Sequence, residues 1–351
     1  MPRWLPIPAL LLAAFVTSCS PPPPASPSMA SSTSTPAAAL PATAPVTTAD
    51  WAYEDVPGKL VSTQHYRIHT TVSRDALLDR LPRLMEAALQ HYRTAITPLP
   101  PPPTELDSFV FATRPQWERM TQRFMGDEAG VYLQIVRGGY TSRGRSVLFD
   151  IGLRDTLAIA AHEGWHQYSQ TVFRDQLPTA FEEGLATYME GFRLTGEKRD
   201  QFTFKPWANP ERFFTLRRAR ERDRLMPLDR LVRAMPQELM GGDEMGALTY
   251  YAQVWALIHF LNDGENGVYR PALVQLVNDA AEGRVAAHVR ERLGSRAGSA
   301  YRAGRRNIDL LEAYTGKPAT ELDASYRAFI DQITRVGTGE KVMRGDSPLE
   351  Q

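Results

Sequence analysis

Apolar positions recur along this chain with two periods, and the change from one to the other falls near residue 155. From Lys59 to Thr71, "KLVSTQHYRIHTT" alternates as a strand does. Leu77, Leu81, Leu84, Leu89 and Tyr92 then follow at helical spacing, with Ser73 or Asp75 as cap and Pro82 placed to kink or divide the helix. The proline-rich run from Pro98 to Pro103 interrupts the chain, and "ELDSFVFAT" predicts a second strand. A short helix over Pro115 to Phe124 starts in proline, as first turns often do. Gly130 to Asp150 ("GVYLQIVRGGYTSRGRSVLFD") holds two β-prone runs separated by Gly, Ser and Arg, which suggests a hairpin or two adjacent strands. Beyond Asp155 the spacing is mainly helical, and no segment repeats. Strand, helix, strands and then helices predict an α+β fold with a helical C-terminal half.

The first fifty residues follow neither period. Leu5 to Val16 is an apolar dozen behind the single charge Arg3, too short to span a bilayer and broken by Pro6 and Pro8, so it reads as a secretory signal core. "VTSC" (Val16 to Cys19) resembles a bacterial lipoprotein box. It implies a signal peptide over 1–18, lipidation of Cys19 and a place in the bacterial cell envelope, on the periplasmic side of the outer membrane. The plainer alternative is an ordinary signal peptide with an incidental Cys19. Residues 19–50, rich in Pro, Ala, Ser and Thr, predict a disordered tether. An N-terminal α+β part over 51–154, a helical part over 155–335 and a disordered tail over 336–351 complete the expected organisation.

Cys19 is the only cysteine, so the mature chain has neither an internal disulfide nor a thiol to serve as nucleophile or ligand. Forty basic residues balance forty acidic ones, and nothing points to nucleic acid as a partner. The most basic stretch, "RRARERDR" from Arg217 to Arg224, alternates with acids like a solvated helix face. "DGENG" (Asp263 to Gly267) lacks the ligand alternation and closing glutamate of a calcium loop and predicts a plain turn.

The chemistry is concentrated in "IAAHEGWHQYSQ" (Ile159 to Gln170), on a predicted helix capped by Asp155 or Thr156. Residues four apart lie one above the other on a helix, so His162 and His166 can offer two imidazole nitrogens to one tetrahedral ion. Glu163 stands about 100° further round, where it flanks the ion without binding it. From there a carboxylate takes a proton from metal-bound water and later delivers it to a leaving amine. A catalytic zinc site wants a third ligand on an element packed against the first helix. In "LPTAFEEGLATYMEGF", Leu177-Pro178-Thr179 predicts a helix start, and Phe181, Leu185, Tyr188 and Phe192 form an apolar stripe. Glu183 projects away from that stripe; Glu182 is either the alternative ligand or a first-turn acid favoured by the helix dipole.

"HEGWHQ" followed by "FEEGLATYME" resembles the gluzincin metallopeptidases, in which HExxH is completed by the glutamate of an E-G-[LF]-A-x-Y segment. Glu183-Gly184-Leu185-Ala186-Thr187-Tyr188 fits that segment residue by residue. "YRIHT", "FVFATRPQW", "GGY", "YYAQVWALIHFL" and "GKPATELDASYRAFI" extend the resemblance, over most of Lys59 to Ile333, to the peptidase-MA-like DUF1570 family. The resemblance implies a zincin-like fold, with a small mixed sheet packed on the HExxH helix, a Zn2+ cofactor and Glu183 as third ligand. It also implies a Tyr or His, from a later helix, that donates to the tetrahedral intermediate. In "ALTYYAQVWALIHFLND", Tyr251, Trp255 and His259 share a face beside the apolar stripe of Tyr250, Val254, Leu257 and Leu261. Tyr251 is the expected donor and Tyr250 or His259 the alternates, against the plain reading that all three pack a helix. The chain departs from the pattern at Glu182, where related enzymes often have Asn. It also departs at Gly164, which costs about 1 kcal/mol relative to alanine but leaves room for the second helix to approach. The strand carrying "YLQIVRGGYT" is expected either at the sheet edge above the cleft or in an ordinary hairpin. At the edge it could take a peptide by strand addition, with Gly138 and Gly139 letting the substrate backbone close.

The sequence thus predicts a lipid-anchored zinc metallopeptidase of the cell envelope, acting on a peptide or protein substrate, with Glu163 activating zinc-bound water and Tyr251 assisting. Two alternatives stand beside it: a catalytically idle zincin-like lipoprotein that binds envelope proteins or cell-wall components, and a hydrolase of another bond. Non-haem iron is disfavoured, because a His pair with a general-base Glu between its members is the pattern of zinc hydrolysis.

Overall fold

Where periodicity marked one strand before the first helix, three are present: β1 (Thr47–Tyr53), β2 (Val56–Ser62) and β3 (Tyr66–Thr70). The computed structural model describes residues 46–196, 201–236, 239, 244–303 and 308–350; the expected signal peptide, Cys19 and most of the tether lie outside them. Strand β1 corrects the tether's C-terminal boundary, since pairing starts at Thr47↔Ser62 and runs to Tyr53↔Val56. Its first four residues are exposed, so main-chain pairing holds them and no apolar alternation announces them. Between β2 and β3, Glu86 clasps the turn, accepting from the Thr63 hydroxyl at 2.6 Å and the His65 amide at 2.8 Å.

Helix α1 (Asp75–Tyr92) runs on through Pro82, neither divided nor capped by Ser73 or Asp75; its N-cap is Arg74, without a side-chain bond. One missing backbone bond is a small loss for a helix that buries Leu77, Leu81, Leu84, Leu89 and Tyr92 on one side. Then come β4 (Leu106–Phe111), α2 (Arg114–Met125), α3 (Ala129–Tyr132), β5 (Gly139–Ser142) and β6 (Arg145–Phe149). A Thr113–Gln116 capping box starts α2. The "YLQI" part of the first expected β-run is not strand: it closes on itself, with Leu133 bonding back to Ala129 and Ile135 to Tyr132. The strands form one mixed six-stranded sheet in the order β1-β2-β3-β4-β6-β5, parallel at β3–β4 and β4–β6 and antiparallel elsewhere. The fold class is α+β, and β5 is a sheet edge.

Helices dominate from Leu153 on, as expected: α4 (Leu153–Val172), α5 (Thr179–Met189), α6 (Pro210–Glu221), α7 (Leu228–Arg233) and α8 (Glu244–Asp263). Five more follow: α9 (Arg270–Glu282), α10 (Val285–Leu293), α11 (Ser295–Arg302), α12 (Asp309–Thr315) and α13 (Ala319–Ile333). A short hairpin of β7 (Phe192–Thr195) and β8 (Gln201–Phe204) was not expected. Nor was α14 (Gly339–Arg344), which buries Val342 within the expected disordered tail. Asp263–Gly267 is the plain turn foreseen, with Glu265 and Asn266 at φ 48° and 60°. In the arginine-rich stretch, Arg217 pairs with Glu221 and Arg220 reaches Asp331. No helix among the described residues is long and apolar enough to cross a membrane.

Layering around α4 positions the site. It packs on β5 and β6, with α1 beside it, α5 against it and α8 beyond α5. A Cβ on Gly184 would stand 2.8 Å from the Val254 carbonyl oxygen, so α5 and α8 meet at nearly backbone distance. Gly164 corrects an expectation: the group that fills its missing side chain is Tyr92 of α1, not the second helix. The Tyr92 hydroxyl would lie 2.6 Å from a Cβ there and donates to the Ala161 carbonyl. Gly139 is closed on its inner side by its hairpin partner, the Cδ2 of Leu148 lying 2.3 Å from where a Cβ would stand.

Candidate metal centre

One side of α4 is stitched to the sheet by polar bonds. Gln167, fully buried, donates to the carbonyls of Asp107 (2.7 Å) and Gly144 (3.0 Å) and accepts from Ser108 (3.1 Å) and Ser146 (3.2 Å). Thr141 of edge strand β5 donates to the Glu163 carbonyl at 2.9 Å. These bonds fix the rotation of α4 and so set which of its sides faces α5.

The neighbouring side, about 100° round the helix, carries His162 and His166, one turn apart. Between them, from α5, comes Glu183: its Oε2 lies 3.4 Å from His162 Nε2 and 3.6 Å from His166 Nε2. The three residues form the one group of buried His, Cys, Asp or Glu among the described residues able to hold a metal ion, with ligand atoms all within 4.8 Å of one another. Two ligands on a tetrahedral ion with arms of 2.0–2.2 Å stand about 3.4 Å apart, so the carboxylate sits at ligand spacing from both rings. Both Nε2 atoms and both Glu183 oxygens are buried without a hydrogen-bond partner. Buried polar atoms are almost always paired, and these four unpartnered atoms belong to a group that could hold a cation. The donor set, two imidazoles and a carboxylate, suits zinc.

Glu183 is therefore the carboxylate brought to the histidines, and Glu182 is not. Glu182 accepts from Ser169 at 3.1 Å, and its Oε2 lies 3.8 Å from His166 Nδ1, behind the ring. His162 is held more tightly: Glu190 Oε2 is 2.7 Å from its Nδ1. The other Glu190 oxygen accepts from Asn209 (2.7 Å) and Arg212 (3.2 Å).

Burial opposes charging His162, but Glu183 and Glu190 outweigh it and its pKa is raised; His166 is raised well above the imidazole range, also against burial, chiefly by Glu183. Burial would raise Glu183, yet the facing imidazoles hold it down at about 2. Glu163 goes the other way: burial lifts its carboxyl above the usual range, against the pull of His166 and His162. Its oxygens are both buried without a hydrogen-bond partner, and it lies outside the ligand group, flanking it as its helix position requires.

Tyr251 of α8 reaches the group edge-on, its ring centroid 6.4 Å from that of His162. The alternate His259 is elsewhere: it stacks on Trp207 at 3.6 Å, bonds Asp263 at 3.1 Å, and burial lowers its pKa. Tyr250 packs edge-on against Tyr251. Because α8 is buried on every side, its expected apolar stripe singles out no face.

Sequence reasoning missed Glu190, Asn209, Arg212 and Gln167. Glu190 was within reach, lying two turns beyond Glu183 on the same side of α5; Arg212 carried no signal, since only the chain's return path brings it in. No protein-family model, curated protein or solved structure matches the chain.

Proposed function

We propose that this chain is a zinc-dependent peptidase of the gluzincin kind, related to the peptidase-MA-like DUF1570 group and lipid-anchored in the cell envelope through Cys19. The observation that carries the reading is the buried His162–His166–Glu183 group with the unpartnered Glu163 carboxylate beside it. A bound zinc ion supplies a Lewis acid for the substrate carbonyl and makes a water acidic near neutral pH. His162, His166 and Glu183 hold the ion. Glu163 has both oxygens free to accept a proton and return it to the leaving amine. Tyr251 donates to the oxygen that becomes negative as the carbonyl is attacked.

One observation favours a second reading, an idle zincin-like lipoprotein whose ion serves the fold: His162 and Glu183 have no solvent exposure, and Glu163 only 1%. Wild type and Glu163→Gln, measured for bound zinc and for cleavage of a peptide library, separate the two. Stoichiometric zinc in both with cleavage by wild type alone is the expected result. Zinc in both and cleavage by neither would sink the peptidase; absence of zinc from wild type would sink the site. A Cys19→Ser chain is expected to leave the membrane fraction, and its retention there would count against the lipid anchor.

A further inference from the structure

Behind the ligands lies a buried ion pair to which the peptidase reading gives no task. Glu190 ends α5, so the helix that supplies the third ligand also supplies the carboxylate at the back of the first. Arg212, 2% exposed, bonds that carboxylate through Nε, and its guanidinium carbon lies 5.3 Å from the Tyr251 ring centroid. Tyr251 in turn meets His162 edge-on, which closes a ring of contacts from His162 through Glu190, Arg212 and Tyr251 back to His162. Stability alone is a poor reason for it: apolar residues of equal volume commonly replace a buried pair at no loss. His166 has no such clamp, since its nearest rear carboxylate, Glu182, is 3.8 Å away.

We propose that Glu190 and Arg212 are positioning residues that tie metal affinity and oxyanion donation into one unit. Glu190 accepts the Nδ1 proton of His162, which leaves Nε2 as the lone-pair nitrogen turned toward Glu183. Arg212 fixes Glu190 from behind and, lying over the face of Tyr251, holds that ring at the edge of the site. The inference rests on the zinc peptidase reading.

The test uses the full chain as wild type, Glu190→Gln, Arg212→Lys, Glu182→Gln and the double variant Glu190→Gln/Arg212→Met. Zn2+ affinity by chelator competition, the visible spectrum of the Co2+ form, and kcat and KM are measured for each. Glu190→Gln is expected to weaken Zn2+ binding about 10- to 100-fold and to shift the Co2+ bands, with Glu182→Gln within about threefold of wild type. Arg212→Lys keeps the charge but loses the planar stack, so zinc affinity is largely retained while kcat falls about tenfold or more at unchanged KM. The double variant buries no lone charge, so it folds even if a lone Arg212→Met chain does not. It is expected to bind zinc as weakly as Glu190→Gln. A Glu190→Gln chain with wild-type affinity and an unshifted Co2+ spectrum overturns the proposal while the peptidase stands. Wild type holding zinc but cleaving nothing overturns the peptidase, and the Zn2+ and Co2+ measurements then decide the clamp alone. Wild type without zinc overturns both.

Discussion

Helix α4 has two polar sides, and they differ in kind. Toward the sheet, Gln167 uses its amide in four hydrogen bonds and the Glu163 carbonyl accepts a hydroxyl. Toward α5, two imidazole nitrogens and two carboxylates end without a partner. Both sides are buried in one core, so the second does not owe its open atoms to solvent. The open side carries the residues of the one group among those described that could hold a metal ion. Glu163 belongs to both, anchored by its backbone on the sheet side and open at its carboxylate.

Substitutions should separate the sides. The largest effect is expected from Glu163→Gln: cleavage falls about 10³-fold or more, zinc content holds, and the melting temperature holds or rises as a buried unpaired charge is removed. A melting temperature that drops by several degrees would place Glu163 among the structural residues. Gln167→Leu should do the reverse. It strips partners from two hydroxyls and two carbonyls and is expected to cost about 2–4 kcal/mol in urea unfolding, with zinc affinity unchanged.

Next comes pH. His91, beside Tyr92 on α1, stacks on Phe204 with Nε2 unpartnered, and burial pushes its pKa down to about 4. The depressed value means that the unfolded chain, titrating near 6.5, binds the proton first. Stability is therefore full above pH 6.5 and is lost as pH falls toward 4, by about 3 kcal/mol. His91→Phe should flatten that limb of the stability curve relative to wild type, and equal slopes in the two chains would refute it. The smallest effect concerns Gly164. Gly164→Ala is expected to cost about 1–3 kcal/mol against the Tyr92 hydroxyl. In a Tyr92→Phe background the same change should turn mildly stabilising, by up to about 1 kcal/mol, because the obstructing oxygen is gone.

Legibility followed the range of the interactions. His162, Glu163 and His166 were readable because their relation is a property of one helix, and the structure sets Glu183 beside them. The α1 periodicity was readable because one face meets solvent. Strand β1 was not, since its exposed residues are held by main-chain pairing, and "YLQI" has β-prone side chains that fold into a local turn. Tyr251 could be named only through resemblance, because α8, buried all round, gives its phase away nowhere. Arg212 and Gln167 act through partners far off in the chain, and no spacing rule reaches them.

The close seat of α8 on Gly184 also has a kinetic side. The ion-facing residues lie between positions 162 and 183, within one helical hairpin, whereas Tyr251 arrives only when a long intervening loop has closed. The contacts within the candidate ligand group are therefore the more local ones, and the contact with Tyr251 is the one that must close the longer stretch of chain.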